Sequence, residues 1–272
     1  MRTVAAERQA GAVMILLSSF VLGLVFGSFL NVVIYRLKNG RELYFGRSFC
    51  PECKTQLRWY DLVPILSFVW LGGRCRYCRK KISWQYPVVE ILSGLIWVGV
   101  FYPPPFMMQR VGDLAASIYH IFILSSLLIV AVYDFKWLII PDKIIYPAVF
   151  ISILYNVFIS FKLANWQTYF LEPLLVALIV FVFFFLFVYF SSGRAMGLGD
   201  AKLTILIALF LSPLAAFIAF NLAFILGGIY GIILLTIGKK SLKSQIAFGP
   251  LLVIGAIISF FMSDLILEFI IF

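Results

Sequence analysis

Two aspartates in apolar surroundings are the residues of this chain best placed to do chemistry. Asp200 stands in Ala195-Met196-Gly197-Leu198-Gly199-Asp200-Ala201-Lys202, where one long apolar segment ends and the next begins. Asp134 stands in similar company, in Tyr133-Asp134-Phe135-Lys136-Trp137-Leu138-Ile139-Ile140-Pro141-Asp142. A carboxylate at the mouth of an apolar segment is costly to keep charged and marks a functional site by default. The glycines flanking Asp200 carry no Cβ, which lets another backbone approach it. Two acids held close together cannot both ionise cheaply, so they share a proton and titrate as a unit. The ionised member can then take a proton from water while the protonated member polarises a carbonyl, which is the chemistry of peptide hydrolysis by a carboxyl pair.

The second cluster with chemistry in it is Cys50-Pro51-Glu52-Cys53 and Cys75-Arg76-Tyr77-Cys78, which together hold all four cysteines of the chain. Two C-x-x-C pairs at this separation supply four thiolates able to close a tetrahedral zinc site. A full cysteine shell leaves no open coordination position, so such a zinc is structural; a redox dithiol or free thiols are the other reading. The only histidine, His120, cannot make an H-E-x-x-H site, and no G-x-S-x-G stands in the chain. Carboxylates are what remain for peptide-bond chemistry.

Composition says what must position these groups. With 63% apolar residues, 12% charged and a mean hydropathy of +1.06, the chain far exceeds the apolar share of a soluble domain, about 45–50%. The sequence predicts an all-α polytopic membrane protein with about eight transmembrane helices, near 12–35, 87–102, 114–133, 140–161, 170–190, 200–212, 214–237 and 247–270. A net charge of +10 would suggest nucleic acid in a soluble protein; here its placement matters more, and lipid is the expected partner. Numbering the loops alternately collects 18 of the 22 Lys and Arg on the side that holds 36–86, 134–143, 191–202 and 238–246. The positive-inside bias then predicts an N-terminus outside, with the large loop and both aspartates at the cytoplasmic boundary. Disulfides are disfavoured there, and a loop of about fifty residues needs a staple to fold, which zinc supplies.

Other polar residues carry weaker expectations. The first apolar run is too long for a signal core and reads as a retained helix, with Gly27, Ser28 and Asn31 forming either a packing face or a ligand-facing one. Pro87 suits a first helical turn, so Glu90 reads as a helix N-terminal charge or as part of a site with Arg36 and Asn31. Asp142 follows Pro141 and is expected in the first turn of the next helix, in a structural role. Asp61, Asp113, Glu172, Asp264 and Glu268 read as solvated or interfacial charges. The aromatic run 181–190 reads as lipid-facing bulk, and 103–105 as an outer Pro-Pro-Pro turn. Gly72 and Gly73 precede Arg74 and Cys75; paired glycines fit either a turn into the second cysteine pair or close approach of a ligand.

The run Gly27-Ser28-Phe29-Leu30-Asn31-Val32-Val33-Ile34-Tyr35-Arg36-Leu37, the paired C-x-x-C loop, Tyr86-Pro87-x-x-Glu90, the 134–142 stretch, Gly197-x-Gly199-Asp200-x-Lys202 and Phe248-Gly249-Pro250 together resemble the bacterial type IV prepilin peptidases. The resemblance covers nearly the whole chain. It implies a bifunctional inner-membrane enzyme that removes the basic leader of type IV prepilins or type II secretion pseudopilins and then N-methylates the new terminus with S-adenosylmethionine. It places the catalytic aspartates on Asp134 and Asp200, the zinc ligands on Cys50, Cys53, Cys75 and Cys78, and methyl transfer on the cytoplasmic loop, where Gly72, Gly73 and Glu90 are the candidates. The expected organisation is an N-terminal helix (1–36), a four-cysteine zinc loop (37–86) and a membrane-embedded peptidase domain (87–272). Lys136 departs from the pattern, standing where many members carry a further acid. A zinc-stapled membrane scaffold would leave the two aspartates without a purpose, and a transporter would leave the zinc loop without one.

Overall fold

A computed structural model describes residues 2–40, 42, 46–102, 113–191, 196–238 and 246–271. The proline turn at 103–105, Ala195 and most of the 238–246 loop lie outside the described residues. The chain divides into two compact units, Met1–Ile121 and Phe122–Phe272. Among the described residues there is no sheet beyond two isolated antiparallel bridges.

The first unit is built on helices α1 (Arg2–Lys38) and α3 (Gln85–Phe101). They pack backbone to backbone because Gly23 and Gly27 sit one turn apart on α1. A Cβ at Gly23 would lie 2.7 Å from the Gly94 Cα, and one at Gly27 2.7 Å from the Glu90 Cα, the close approach that small residues permit between membrane helices. Asn31 locks the register: its amide donates to Tyr86 O at 3.1 Å and accepts from Gln85 Nε2 at 3.0 Å. The packing reading of this face therefore holds for Asn31. Between the two helices lie a 3₁₀ turn (Trp59–Asp61) and the short helix α2 (Leu66–Trp70).

Asp61 is not a solvated charge. Its side chain is only 3% exposed and takes Arg76 Nε at 2.7 Å, the Tyr77 hydroxyl at 3.2 Å and the Arg58 N–H at 3.2 Å. Burial would raise its pKa, but the Arg76 guanidinium and the two other donors outweigh that and hold the carboxyl below its usual range. Spacing could not reveal the pairing, because Asp61 and Arg76 meet only once the loop has folded.

The second unit contains most of α4 (Leu114–Trp137), then α5 (Asp142–Leu163), a π turn (Gln167–Leu171), α6 (Glu172–Phe190), α7 (Leu198–Phe210), α8 (Pro213–Thr236) and α9 (Gly249–Ile271). Helix α7 is nearly all buried, against α5 and α6. Asn156 of α5 donates to the Leu209 carbonyl at 3.0 Å, satisfying an acceptor at the C-terminus of α7 that has no partner within its own helix. Gly255 brings α9 against the Ala219 carbonyl of α8, and Ser259 Oγ donates to Ala215 O at 2.5 Å. Phe183, Phe187 and Phe190 are exposed as expected for lipid-facing bulk, but Phe184 is buried and stacks on Phe224.

Among the described residues six helices are long and apolar enough to cross a membrane: Gly11–Lys38, Leu114–Trp137, Asp142–Leu163, Gln167–Phe190, Pro213–Thr236 and Gly249–Ile266. The protein is thus an all-α multi-pass membrane protein. Two of the eight expected spans, near 87–102 and 200–212, fall on short helices. Helix α3 has 17 residues and α7 has 13, or roughly 26 and 20 Å against a hydrocarbon core of about 30 Å.

Candidate catalytic and metal sites

Asp134 lies in the last turn of α4, and Asp200 is the third residue of α7. Both are buried, both line one open cavity of about 240 Å³, and they are close enough for their charges to interact. Leu138, Ile139, Ile140, Gly197 and Gly199 form its remaining apolar and backbone wall, with Asp142 and Lys202 as its other charged residues.

Each carboxylate is met by the N-terminus of a helix. Asp200 Oδ2 accepts the N–H of Gly197, the N-cap of its own helix, at 3.2 Å. Asp134 Oδ2 accepts the N–H of Gly249, the first residue of α9, at 3.1 Å. The first N–H groups of a helix have no partner within it and carry the positive end of its dipole. Two such ends converging on one cavity offset part of the cost of holding negative charge there. Glycine is needed where α9 meets Asp134 and fits tightly where α7 meets Ile140, whereas a Cβ at Gly197 itself would stand 3.8 Å from Asp200 Oδ2, in ordinary contact. A Cβ at Gly249 would stand 2.7 Å from Asp134 Oδ2, and one at Gly199 would stand 3.0 Å from the Ile140 Cβ.

The role of Gly249 was not visible from residue type, since the donor is a backbone N–H 115 positions from its acceptor. Phe248-Gly249-Pro250 was the available signal: Pro250 has no N–H to offer, which leaves Gly249 as the donor at this helix start. Asp142 is the first residue of α5, as its place after Pro141 predicts. It bonds Lys202 Nζ at 2.8 Å, and that ammonium also lies 5.1 Å from the Tyr146 ring centre. This pairing engages the lysine across α5 and α7.

In the first unit the four cysteines form a compact cluster able to chelate a metal, all four sulfurs lying within 4.8 Å of one another. The two halves are near copies. Phe49 bridges Gln56 and Arg74 bridges Lys81; the N–H of Cys50 reaches Thr55 O and that of Cys75 reaches Lys80 O; Lys54 and Arg79 each take φ of 60°. The donor set fits zinc, because sulfurs at about 2.3 Å from a tetrahedral ion stand nearly 4 Å apart, and Cys50 and Cys78 are 3.9 Å apart. The Thr55 hydroxyl, then its backbone, pulls the Cys53 thiol down to about 6, which favours the thiolate a metal requires.

Gly72 and Gly73 both have positive φ, 59° and 66°, and turn the chain from α2 into the second cysteine pair. The Gly73 N–H donates to Phe68 O at 2.8 Å and a Cβ there would meet the Phe68 ring at 3.1 Å, whereas Gly72 faces open space. Glu90 stands in the second turn of α3, which starts two residues before Pro87. Its carboxylate accepts the Ile65 N–H at 2.8 Å and bonds the Ser28 side chain. Arg36 instead reaches Gly46 O at 2.5 Å, and His120 is buried.

Residues 21–103 match the bacterial peptidase A24 N-terminal domain, and residues 121–232 match the type IV leader peptidase family. The chain is 30% identical over 266 residues to the prepilin leader peptidase/N-methyltransferase of Pectobacterium carotovorum subsp. carotovorum, covering 89% of this chain and 91% of that protein. It is 33% identical over 203 residues to the protein of the same name from Klebsiella pneumoniae, with 68% and 79% covered. The Bacillus subtilis (strain 168) counterpart is 28% identical over 250 residues, with 92% and 95% covered. No solved structure matches the chain.

Proposed function

The chain belongs to the type IV leader peptidase family, and from that premise we propose that it removes the basic leader of type IV prepilins or type II secretion pseudopilins with Asp134 and Asp200, then N-methylates the new terminus. The observation that carries this is the pair of buried aspartates on one cavity, each held by a helix N-terminus. The ionised carboxylate takes a proton from water as the oxygen attacks the scissile carbonyl. The protonated one donates to the carbonyl oxygen, and the proton gained by the first passes to the leaving amine. The cavity that both acids line opens outward, which gives water a route to them. The site works at the cytoplasmic face of the inner membrane, eight helices cross, and the N-terminus lies outside; the placement of 18 of 22 basic residues supports that topology. Leader cleavage assayed on a membrane-inserted prepilin tests the reading.

Zinc on Cys50, Cys53, Cys75 and Cys78 would staple the loop between α1 and α3. Purified protein is expected to carry about one zinc per chain. Cys50→Ser or Cys75→Ser should remove the metal and expose the loop to protease, while changing the aspartate chemistry far less. Elemental analysis showing no zinc in protein prepared without chelators rejects the assignment.

S-adenosylmethionine would supply an electrophilic methyl group to the amine released by cleavage. Gly72 is the candidate for close donor approach, since its open side meets no neighbour. Glu90 acts as a positioning residue through its bond to Ile65, the residue that caps the N-terminus of α2. Gly72→Ala strains a positive φ by about 1–2 kcal/mol and otherwise adds one methyl group. It is expected to keep zinc and leader cleavage while lowering transfer of labelled methyl; unchanged methylation would leave Gly72 a turn residue.

A further inference from the structure

The loop between α1 and α3 carries large apolar side chains that its own fold leaves uncovered. Trp70 is 88% exposed, Val69 69%, Leu66 68% and Trp59 78%. Their depth follows from three contacts. Gly27 of α1 packs directly on Glu90, Ser28 bonds the Glu90 carboxylate, and that carboxylate holds the Ile65 N–H at 2.8 Å. Gly27 lies nine residues before Arg36, roughly 14 Å along the helix, well inside the apolar stretch Gly11–Lys38. A glutamate side chain spans only a few ångström, so Ile65 and the start of α2 sit level with the membrane-crossing part of α1. Ile65 itself has φ of 58°, an outlier for a β-branched residue. The Glu90 bond is one of the contacts that offsets its strain.

The charge around these side chains has one sign. Between residues 46 and 84 stand eight Lys and Arg against two acids, and both acids are already paired, Glu52 with Lys80 and Asp61 with Arg76. Exposed tryptophans and aliphatic residues among basic ones are the pattern of a segment lying in the headgroup region of an anionic bilayer. We propose that α2 and the turn before it form an interfacial membrane element, with Leu66, Val69 and Trp70 in lipid and the surrounding Lys and Arg on anionic headgroups. The loop is thereby anchored to the bilayer surface as well as stapled by its cysteines. This rests on the geometry of the first unit and not on the peptidase reading.

The test uses the full chain in nanodiscs of equimolar phosphatidylcholine and phosphatidylglycerol, with a photoreactive benzophenone amino acid in place of Trp70 or, for comparison, of Glu52. Trp70 is so exposed that the replacement leaves packing intact, and zinc content reports that the loop has folded. Irradiation at Trp70 is expected to give phospholipid adducts enriched at least about twofold in phosphatidylglycerol, and a several-fold lower lipid yield at Glu52. Adducts confined to a second copy of the chain or to added prepilin would make the patch a protein-docking surface and overturn the proposal. So would equal lipid yields at the two positions, phosphatidylglycerol captured only at its share of the mixture, or no adduct at all.

Discussion

Replacing either Asp134 or Asp200 by alanine is expected to abolish leader removal, lowering the rate at least about a thousandfold, in protein that stays folded in the membrane. On the proposed shared-proton mechanism either loss removes the pair, so the double variant should be little worse than each single one. Folding survives because what each substitution leaves behind is one unpaired helix N–H, Gly249 in one case and Gly197 in the other. Such a loss is worth about 1–3 kcal/mol. Cleavage of a membrane-inserted prepilin, with thermal unfolding measured in parallel, checks both halves; full activity in either folded variant would sink the dyad. Asp142→Asn should by contrast keep most activity. Its bond to Lys202 is half exposed and is worth at most about 1 kcal/mol. An inactive Asp142→Asn beside an active Asp134→Asn would move the chemistry to the other carboxylate.

The aspartates were legible because charge in an apolar run is conspicuous in one dimension. So were the cysteines, whose paired spacing encodes the two matching turns, and most helices, whose boundaries fall within a few residues of the apolar runs. What the chain order hides is tertiary pairing. Asp61 looks like a loop charge until Arg76 folds onto it, and Asn156 looks like a polar interruption of a span until Leu209 presents its carbonyl. Glu90 reads in the sequence as a helix N-terminal charge or as part of a site with Arg36 and Asn31, but α3 begins earlier and the side chain turns back to bond the Ile65 N–H before α2. Helix α7 shows why the number of crossings resists reading from apolar runs: it is apolar and largely buried, yet its 13 residues fall short of the about 20 that a lipid-exposed spanning helix needs.

The least legible element, Gly249, yields the second large effect. Gly249→Ala adds a Cβ 2.7 Å from Asp134 Oδ2 and 3.1 Å from its Cγ. The clash cannot be relieved by a flexible chain end, because one partner is the first turn of α9 and the other a buried carboxylate. Either Asp134 rotates or the helix start retreats, and both outcomes break the 3.1 Å bond that aims the acid. Displacing a reacting group by about 1 Å costs on the order of a hundredfold, so kcat for leader cleavage should fall by that factor while KM changes little. Overpacking should also cost about 1–3 kcal/mol of stability. Gly228→Ala on α8 is the control, since a Cβ there meets nothing within 4 Å; it should keep full activity and stability. If Gly249→Ala cleaves as fast as Gly228→Ala, then the α9 N-terminus does not position Asp134, and the second helix end has no part in the chemistry.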